Sequence, residues 1–146
     1  MQTQNYSTSI AASKERVWNV LWGDETFRDW ASIIDEGQYM VGELAEGSKV
    51  QFLSGDGGYG VLSLIEKLVP NEYVSIRQLA DVKAGKEQPR TDGEGDWAGG
   101  RESYSLHEAD GLTTLTVSLD VPEAHAADFE STMPRALQRI KELAEA

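Results

Sequence analysis

The feature that most constrains this chain is a switch in hydrophobic period. From Tyr39 to Val121 apolar residues recur at every second position, in runs broken by glycine, proline and asparagine. From Phe129 onward they recur every three or four positions: Phe129, Met133, Leu137, Ile140 and Leu143 form one stripe, with Ala136 and Ala144 beside it. A period of two places alternate side chains on the two faces of a strand, while a period near 3.6 places them on one side of a helix. The pattern predicts strands at Tyr39–Val41, Lys49–Leu53, Tyr59–Val69, Tyr73–Leu79, Trp97–Glu108 and Thr113–Val121, then one long helix. The connections in the middle of the chain are short. Parallel neighbours need crossovers of about a dozen residues, so the sheet is expected to be antiparallel.

The N-terminal part adds one strand and two helices. Tyr6 to Ala12 alternates as a strand, with Tyr6, Thr8 and Ile10 on one face. Ser13 offers an N-cap to a helix over Lys14 to Trp22, and Gly23 stops it. Asp24 is placed to cap a second, short helix in which Phe27, Trp30 and Ala31 share a side. Asp110-Gly111 between two β-rich runs predicts a tight hairpin. Pro134 falls inside the last helical stripe, where it removes a hydrogen bond and crowds the preceding turn, so a kink or a fresh start is expected there. Residues 80–96, polar and rich in glycine and acid, read as a long mobile loop. The expected architecture is α+β. A strongly curved antiparallel sheet of about seven strands grips the C-terminal helix, the one element long enough to cover its apolar face.

Composition narrows the class. The 146 residues fit one domain, 1–146, with a core that needs no staples. There are no cysteines, which excludes disulfides, thiolate metal sites and cysteine nucleophiles. Thirteen basic against 25 acidic residues give a net charge of −12. Duplex nucleic acid and anionic lipid attract positive surfaces and are poor partners for such a chain. No apolar run approaches a membrane span, and Met1 to Ser9 lacks the pattern of a secretory signal, so a cytoplasmic address and no membrane insertion are expected.

Several segments resemble a known family. Ile10-Ala-Ala-Ser-Lys-Glu-Arg-Val-Trp18, Trp30, Gly60-Val-Leu-Ser-Leu-Ile-Glu-Lys-Leu-Val-Pro-Asn71, Trp97-Ala-Gly-Gly-Arg-Glu-Ser-Tyr-Ser-Leu106, Gly111-Leu-Thr-Thr-Leu-Thr-Val117 and Met133-Pro-Arg-Ala-Leu-Gln-Arg-Ile-Lys-Glu-Leu143 occur in the order seen in the START-like superfamily, which includes birch-pollen-allergen-like proteins and polyketide cyclases. The branch they resemble is that of bacterial homologues of Aha-type activators of the heat-shock chaperone ATPase. The resemblance covers nearly the whole chain and implies the helix-grip fold, with an apolar pocket between sheet and long helix. It implies a small-molecule ligand, a cyclase- or hydrolase-type reaction, or a protein partner, without choosing among them. The acidic, glycine-rich stretch 80–96 departs from the branch.

Local motifs add little chemistry. Gly55-Asp-Gly-Gly-Tyr-Gly60 has G-x-G-x-x-G spacing, but a strand rather than a helix follows it, so a hairpin turn explains the glycines. Asp92-Gly-Glu-Gly-Asp96 has Trp97 and Ser103 where a calcium loop needs glycine and glutamate, and reads as a solvated loop. His107 and His125 stand in no metal-ligand spacing, and no cofactor is implied. More telling are polar residues inside apolar strands: Glu66 among Leu62, Leu64 and Leu68; Arg77 beside Ile76; Glu102 alternating with Tyr104 and Leu106. Turned inward, they form a polar anchor in an apolar pocket; turned outward or paired with each other, they are structural. The candidate cavity set is Trp30, Phe52, Leu62, Leu64, Glu66, Arg77, Trp97, Tyr104, Leu106, Phe129, Met133 and Leu137. The expected activity is binding of a small apolar or aromatic ligand, with Arg77 and Glu66 at its polar end and the 80–96 stretch as gate. The alternatives are an enzyme using Glu66 or Glu102 as acid or base, and a chaperone-activator-like interaction protein.

Overall fold

The computed structural model describes residues 1–87 and 97–146. Strand β1 (Gln2–Ile10) leads into helices α1 (Lys14–Trp22) and α2 (Asp24–Ala31). Strands β2 (Tyr39–Val41), β3 (Lys49–Leu53), β4 (Tyr59–Val69), β5 (Tyr73–Lys83), β6 (Lys86–Glu87), β7 (Arg101–Ala109) and β8 (Leu112–Val121) follow. A 3-10 turn at Glu123–His125 then enters helix α3 (Ala126–Glu145). The strands lie in the order β1-β8-β7-β5-β4-β3-β2, every pair antiparallel, with β6 folded back on β5. The architecture is the expected α+β curved sheet around a long C-terminal helix. Among the described residues no helix is long and apolar enough to cross a membrane.

Local chemistry accounts for the punctuation. The Ser13 side chain accepts from the Arg16 N–H at 3.1 Å, which caps α1. Gly23 keeps an ordinary negative φ; a glycine is needed because a Cβ there would stand 2.7 Å from the Asn19 carbonyl oxygen. Gly23 rather than Asp24 is the cap of α2, and Asp24 instead pairs with Arg28 one turn on. Asp110 and Gly111 both have positive φ, 54° and 80°, between Ala109 and Leu112, which pair with each other.

Three expectations need correction. Residues 80–87 are not loop: β5 runs on to Lys83 and β6 pairs with it, while 88–96, including Asp92 to Asp96, lie outside the described residues. Trp97 to Gly100 is a turn, closed by the Gly100 N–H on the Trp97 carbonyl, and β7 starts at Arg101. Helix α3 runs unbroken through Pro134, whose ring lies on the exposed side, where the missing N–H is easiest to tolerate.

The core lies between the concave face of the sheet and the three helices. Ile10, Val17, Leu21, Ile65, Ile76, Leu115, Val117, Ala136 and Ile140 are fully buried. Each such large aliphatic side chain contributes on the order of 1.5–3 kcal/mol by leaving water.

Candidate functional site

At the end of the molecule where α2 and the first half of α3 approach the sheet, the core gives way to a cavity of about 420 Å³. That is within the usual range for small-molecule sites. Helix α2 supplies Phe27, Trp30 and Ala31, followed by Ile34. This i, i+3, i+4, i+7 set is the apolar side of the helix carried one turn past its end. Trp30 is held by its indole N–H, which donates to the Leu21 carbonyl at 3.2 Å. Phe27 meets Trp30 edge-on, ring centres 5.2 Å apart, and lies 5.8 Å from Phe52 of β3. The first half of α3 contributes Phe129, Thr132 and Met133. Trp97 closes the side, stacked on His125 at 5.4 Å and tilted against Phe129 at 5.3 Å. Its backbone N–H donates to Asp81 Oδ1, and the Gly99 N–H and Gly100 carbonyl pair with the Gln78 backbone, so the turn is anchored to β5.

The sheet wall is apolar with a polar strip. Phe52, Val61 and Leu119 stand beside Gln78, Asp81, Glu102 and Tyr104. Ser63 donates to the Gln78 side-chain oxygen, and the Tyr104 hydroxyl donates to Glu102 Oε1. Glu102 and Tyr104 are two residues apart on one strand, so both face the concave side. Glu102 is bracketed across the sheet by Ile76 and Leu119, and its residual exposure is to the cavity. Burial pushes its carboxyl above the ordinary carboxylate range, partly offset by the tyrosine hydrogen bond. Burial, and then the neighbouring carboxyl, raises the Tyr104 phenol well above its usual value. At the rim stand Asp35, Gln38, Tyr59, Lys83, His125 and Asp128. Asp35 is raised by partial burial and by Asp56.

Six of the twelve candidate residues meet at this cavity: Trp30, Phe52, Trp97, Tyr104, Phe129 and Met133. The other six do not. Leu106 and Leu137 are buried in the packed part of the core. Leu62, Leu64, Glu66 and Arg77 stand on the convex face, because the inward row of β4 is Val61, Ser63 and Ile65, opposite Gln78 and Ile76 of β5. Glu66 is the extra residue of a bulge between Ile65 and Lys67 and binds Arg101 at 2.9 Å on the outer surface. That bulge returns Leu68 to the inner face, against the core, and so breaks the row Leu62-Leu64-Glu66-Leu68. Reading β4 by its leucines selects the wrong face because both faces are apolar. Gln78, Asp81 and Ser63 were passed over, although buried polar residues within apolar strands are the same signal that drew attention to Glu102. Among the described residues no group of three or more His, Asp or Glu side chains is placed to hold a metal ion.

No protein-family profile and no curated protein matches the chain. Solved structures do. Protein MLL2253 from Mesorhizobium loti superposes with a TM-score of 0.75 at 13% identity, over 97% of this chain and 96% of that one. The Aha1 dimer from Colwellia psychrerythraea gives 0.72 at 20% identity, over 99% and 97%. CalU16 from Micromonospora echinospora gives 0.65 at 15% identity, over 99% and 76%. At such identities the likeness is one of architecture. What the chain shares with these neighbours is the fold: a curved antiparallel sheet closed on a long C-terminal helix.

Proposed function

We propose that the protein binds a small, largely apolar molecule in the cavity between sheet and α3. The observation that carries the reading is the cavity itself. It is about 420 Å³, walled by Phe27, Trp30, Phe52, Trp97, Phe129 and Met133, with Gln78, Glu102 and Tyr104 converging on one side. A chain that needed only a core would fill this space, since well-packed interiors leave few voids larger than a water molecule. Aromatic walls supply contact area with little side-chain entropy to lose, and Met133 adapts to varied shapes. The polar strip orients the ligand, because each buried polar group it touches is costly to leave unpaired. The rim, rather than Arg77 and Glu66, receives the solvent-facing end. Screening fatty acids, aromatic acids, aromatic amines and neutral polycycles by thermal shift tests the reading. A saturable rise in melting temperature that Thr132→Trp abolishes supports it. A flat response across all four classes argues against it.

A second reading is favoured by one feature, the buried Glu102–Tyr104 pair. Burial strengthens this carboxyl's hold on its proton, the direction a general acid needs. On this reading the cavity is the site of a cyclase- or hydrolase-type reaction. Glu102→Gln then abolishes turnover while the protein still folds.

A further inference from the structure

Three independent features bear on the charge of the molecule the cavity accepts. The acidic side chains at its wall are Asp35, Asp81, Glu102 and Asp128, and the basic ones are Lys83 and His125, both toward the rim. Glu102 is the deep member. Among the described residues its carboxyl has one polar neighbour, the Tyr104 hydroxyl, and no ion pair reaches it. The second feature is the density of ring faces, whose negative quadrupoles attract cations and repel anions. The third is the net charge of −12, which raises the local concentration of cations around the molecule.

From the cavity's acid, its aromatic walls and the field of the chain, we propose that the ligand is an organic cation: an aromatic ring system carrying an ammonium group. The inference rests on the ligand-binding reading above and names its chemical class. The ring system lies among Phe27, Trp30, Phe52 and Phe129, and the ammonium meets Glu102. A carboxylate ligand in the same pose sets two acids against each other, with no cation at that depth among the described residues. The usual objection to a buried ion pair is the cost of removing both charges from water. Here Glu102 lines the cavity and already accepts from the Tyr104 hydroxyl, a donor that supports the carboxylate form and so reduces that cost. The proton balance is explicit. Burial raises the Glu102 carboxyl, so whatever fraction is protonated in the free protein gives its proton to solvent as the ammonium binds and the carboxylate forms.

This predicts an affinity that rises with pH for the ammonium and stays flat for an uncharged analogue. Among the described residues the other titratable or charged groups facing the site are Tyr104 on the same strand, Asp81 and Lys83 from β5, Asp35 beyond α2, Tyr59 on β4, and His125 and Asp128 at the entry to α3. Asp35→Asn and His125→Gln, both at the rim, serve as controls.

The test is calorimetric titration of the full chain with naphthylethylammonium, naphthylethanol and naphthylacetate, from mildly acidic to mildly alkaline buffer. The ammonium is expected to bind about tenfold or more tightly than the alcohol, and the carboxylate more weakly than both. Glu102→Gln is expected to erase that preference while the alcohol still binds, and Asp35→Asn and His125→Gln to keep the pH slope. Equal binding of ammonium and alcohol, tighter binding of the carboxylate, or a preference that survives Glu102→Gln overturns the proposal and leaves the ligand-binding reading standing. Failure of all three probes to bind overturns both. If Glu102→Gln does not fold, the wild-type protein decides. In two mildly acidic buffers of different ionisation heat, ammonium binding must release more protons than alcohol binding; absence of that difference overturns the proposal.

Discussion

Helix α3 carries one apolar stripe, and its two halves bury it differently. The C-terminal half sets Ala136, Leu137, Ile140 and Ala144 against Ile10, Val17 and Leu21 of β1 and α1, with almost no exposure. It is also tied by polar contacts at its edges. Lys141 Nζ donates to the Ser9 carbonyl at 2.8 Å, the Ala11 N–H donates to Glu145 at 2.8 Å, and Arg16 donates to the carbonyls of Leu143 and Ala144, which lack helical partners. Arg139 forks onto both oxygens of Asp29 at 2.7 and 2.9 Å. The N-terminal half has Gln4 donating to the Ala126 carbonyl and a long contact from the Tyr6 hydroxyl to the Phe129 carbonyl, and otherwise faces the cavity with Phe129, Thr132 and Met133. Pro134 stands between the halves. The comparison teaches that stability and binding are divided along one helix: one half closes the fold, and the other leaves room.

The largest expected effect comes from damaging the closed half. Ile140→Ala removes a fully buried side chain from a region with no slack and should cost about 2–5 kcal/mol in urea unfolding. Phe129→Ala, half-exposed on a wall that is already hollow, should cost distinctly less; equal losses would erase the distinction between the halves. Backbone hydrogen exchange sharpens it further. Amides after Pro134 should exchange by global unfolding, and those of Phe129 to Met133 by cheaper local opening. Equal protection on both sides would contradict the division.

Filling the open half should do the reverse of Ile140→Ala. Thr132→Trp is expected to change stability by about 1 kcal/mol or less while abolishing ligand-induced thermal shifts. Glu102 gives a pH signature of its own. Its native carboxyl titrates above the ordinary value of 4.5, so the folded state holds a proton the unfolded chain has lost. Stability from this group is therefore fully present below 4.5 and is lost as pH rises through the raised native value. Glu102→Gln should flatten that decline, as followed by melting temperature against pH. Asp29 has the opposite sign. Its hydrogen bonds from Arg139 hold the carboxyl below 3.8, so its contribution is present above that value and is lost as pH falls through the lowered one. Both partners are over a third exposed and screened by water, so Arg139→Gln should give the smallest of these effects on unfolding in urea.

Much of this was legible in the residues. The period switch located all the long strands and the closing helix, because alternation and a helical stripe are local properties. Ser13, Gly23 and Asp110-Gly111 marked boundaries through backbone chemistry that needs no tertiary context. The cavity was only half legible. Five of its aromatic members, Trp30, Phe52, Trp97, Tyr104 and Phe129, stand in the candidate set, while Phe27 and Tyr59 do not. Glu66, Arg77, Leu62 and Leu64 were not where alternation suggested, because β4 is apolar on both faces and the bulge at Glu66 changes the phase. A phase error of one residue turns a whole strand inside out.

The order of elements, the antiparallel pairing and the long helical cover follow from the one-dimensional pattern, since short turns and hydrophobic period leave few other ways to bury the apolar faces. What the pattern leaves open is where the cover fits tightly and where it stands off. That depends on the bulges at Glu66 in β4 and at Leu79 in β5, the anchoring of Trp97 against β5, and the ties at one end of α3. Each joins residues far apart in sequence, and such contacts acquire an energy only once the chain has brought them together.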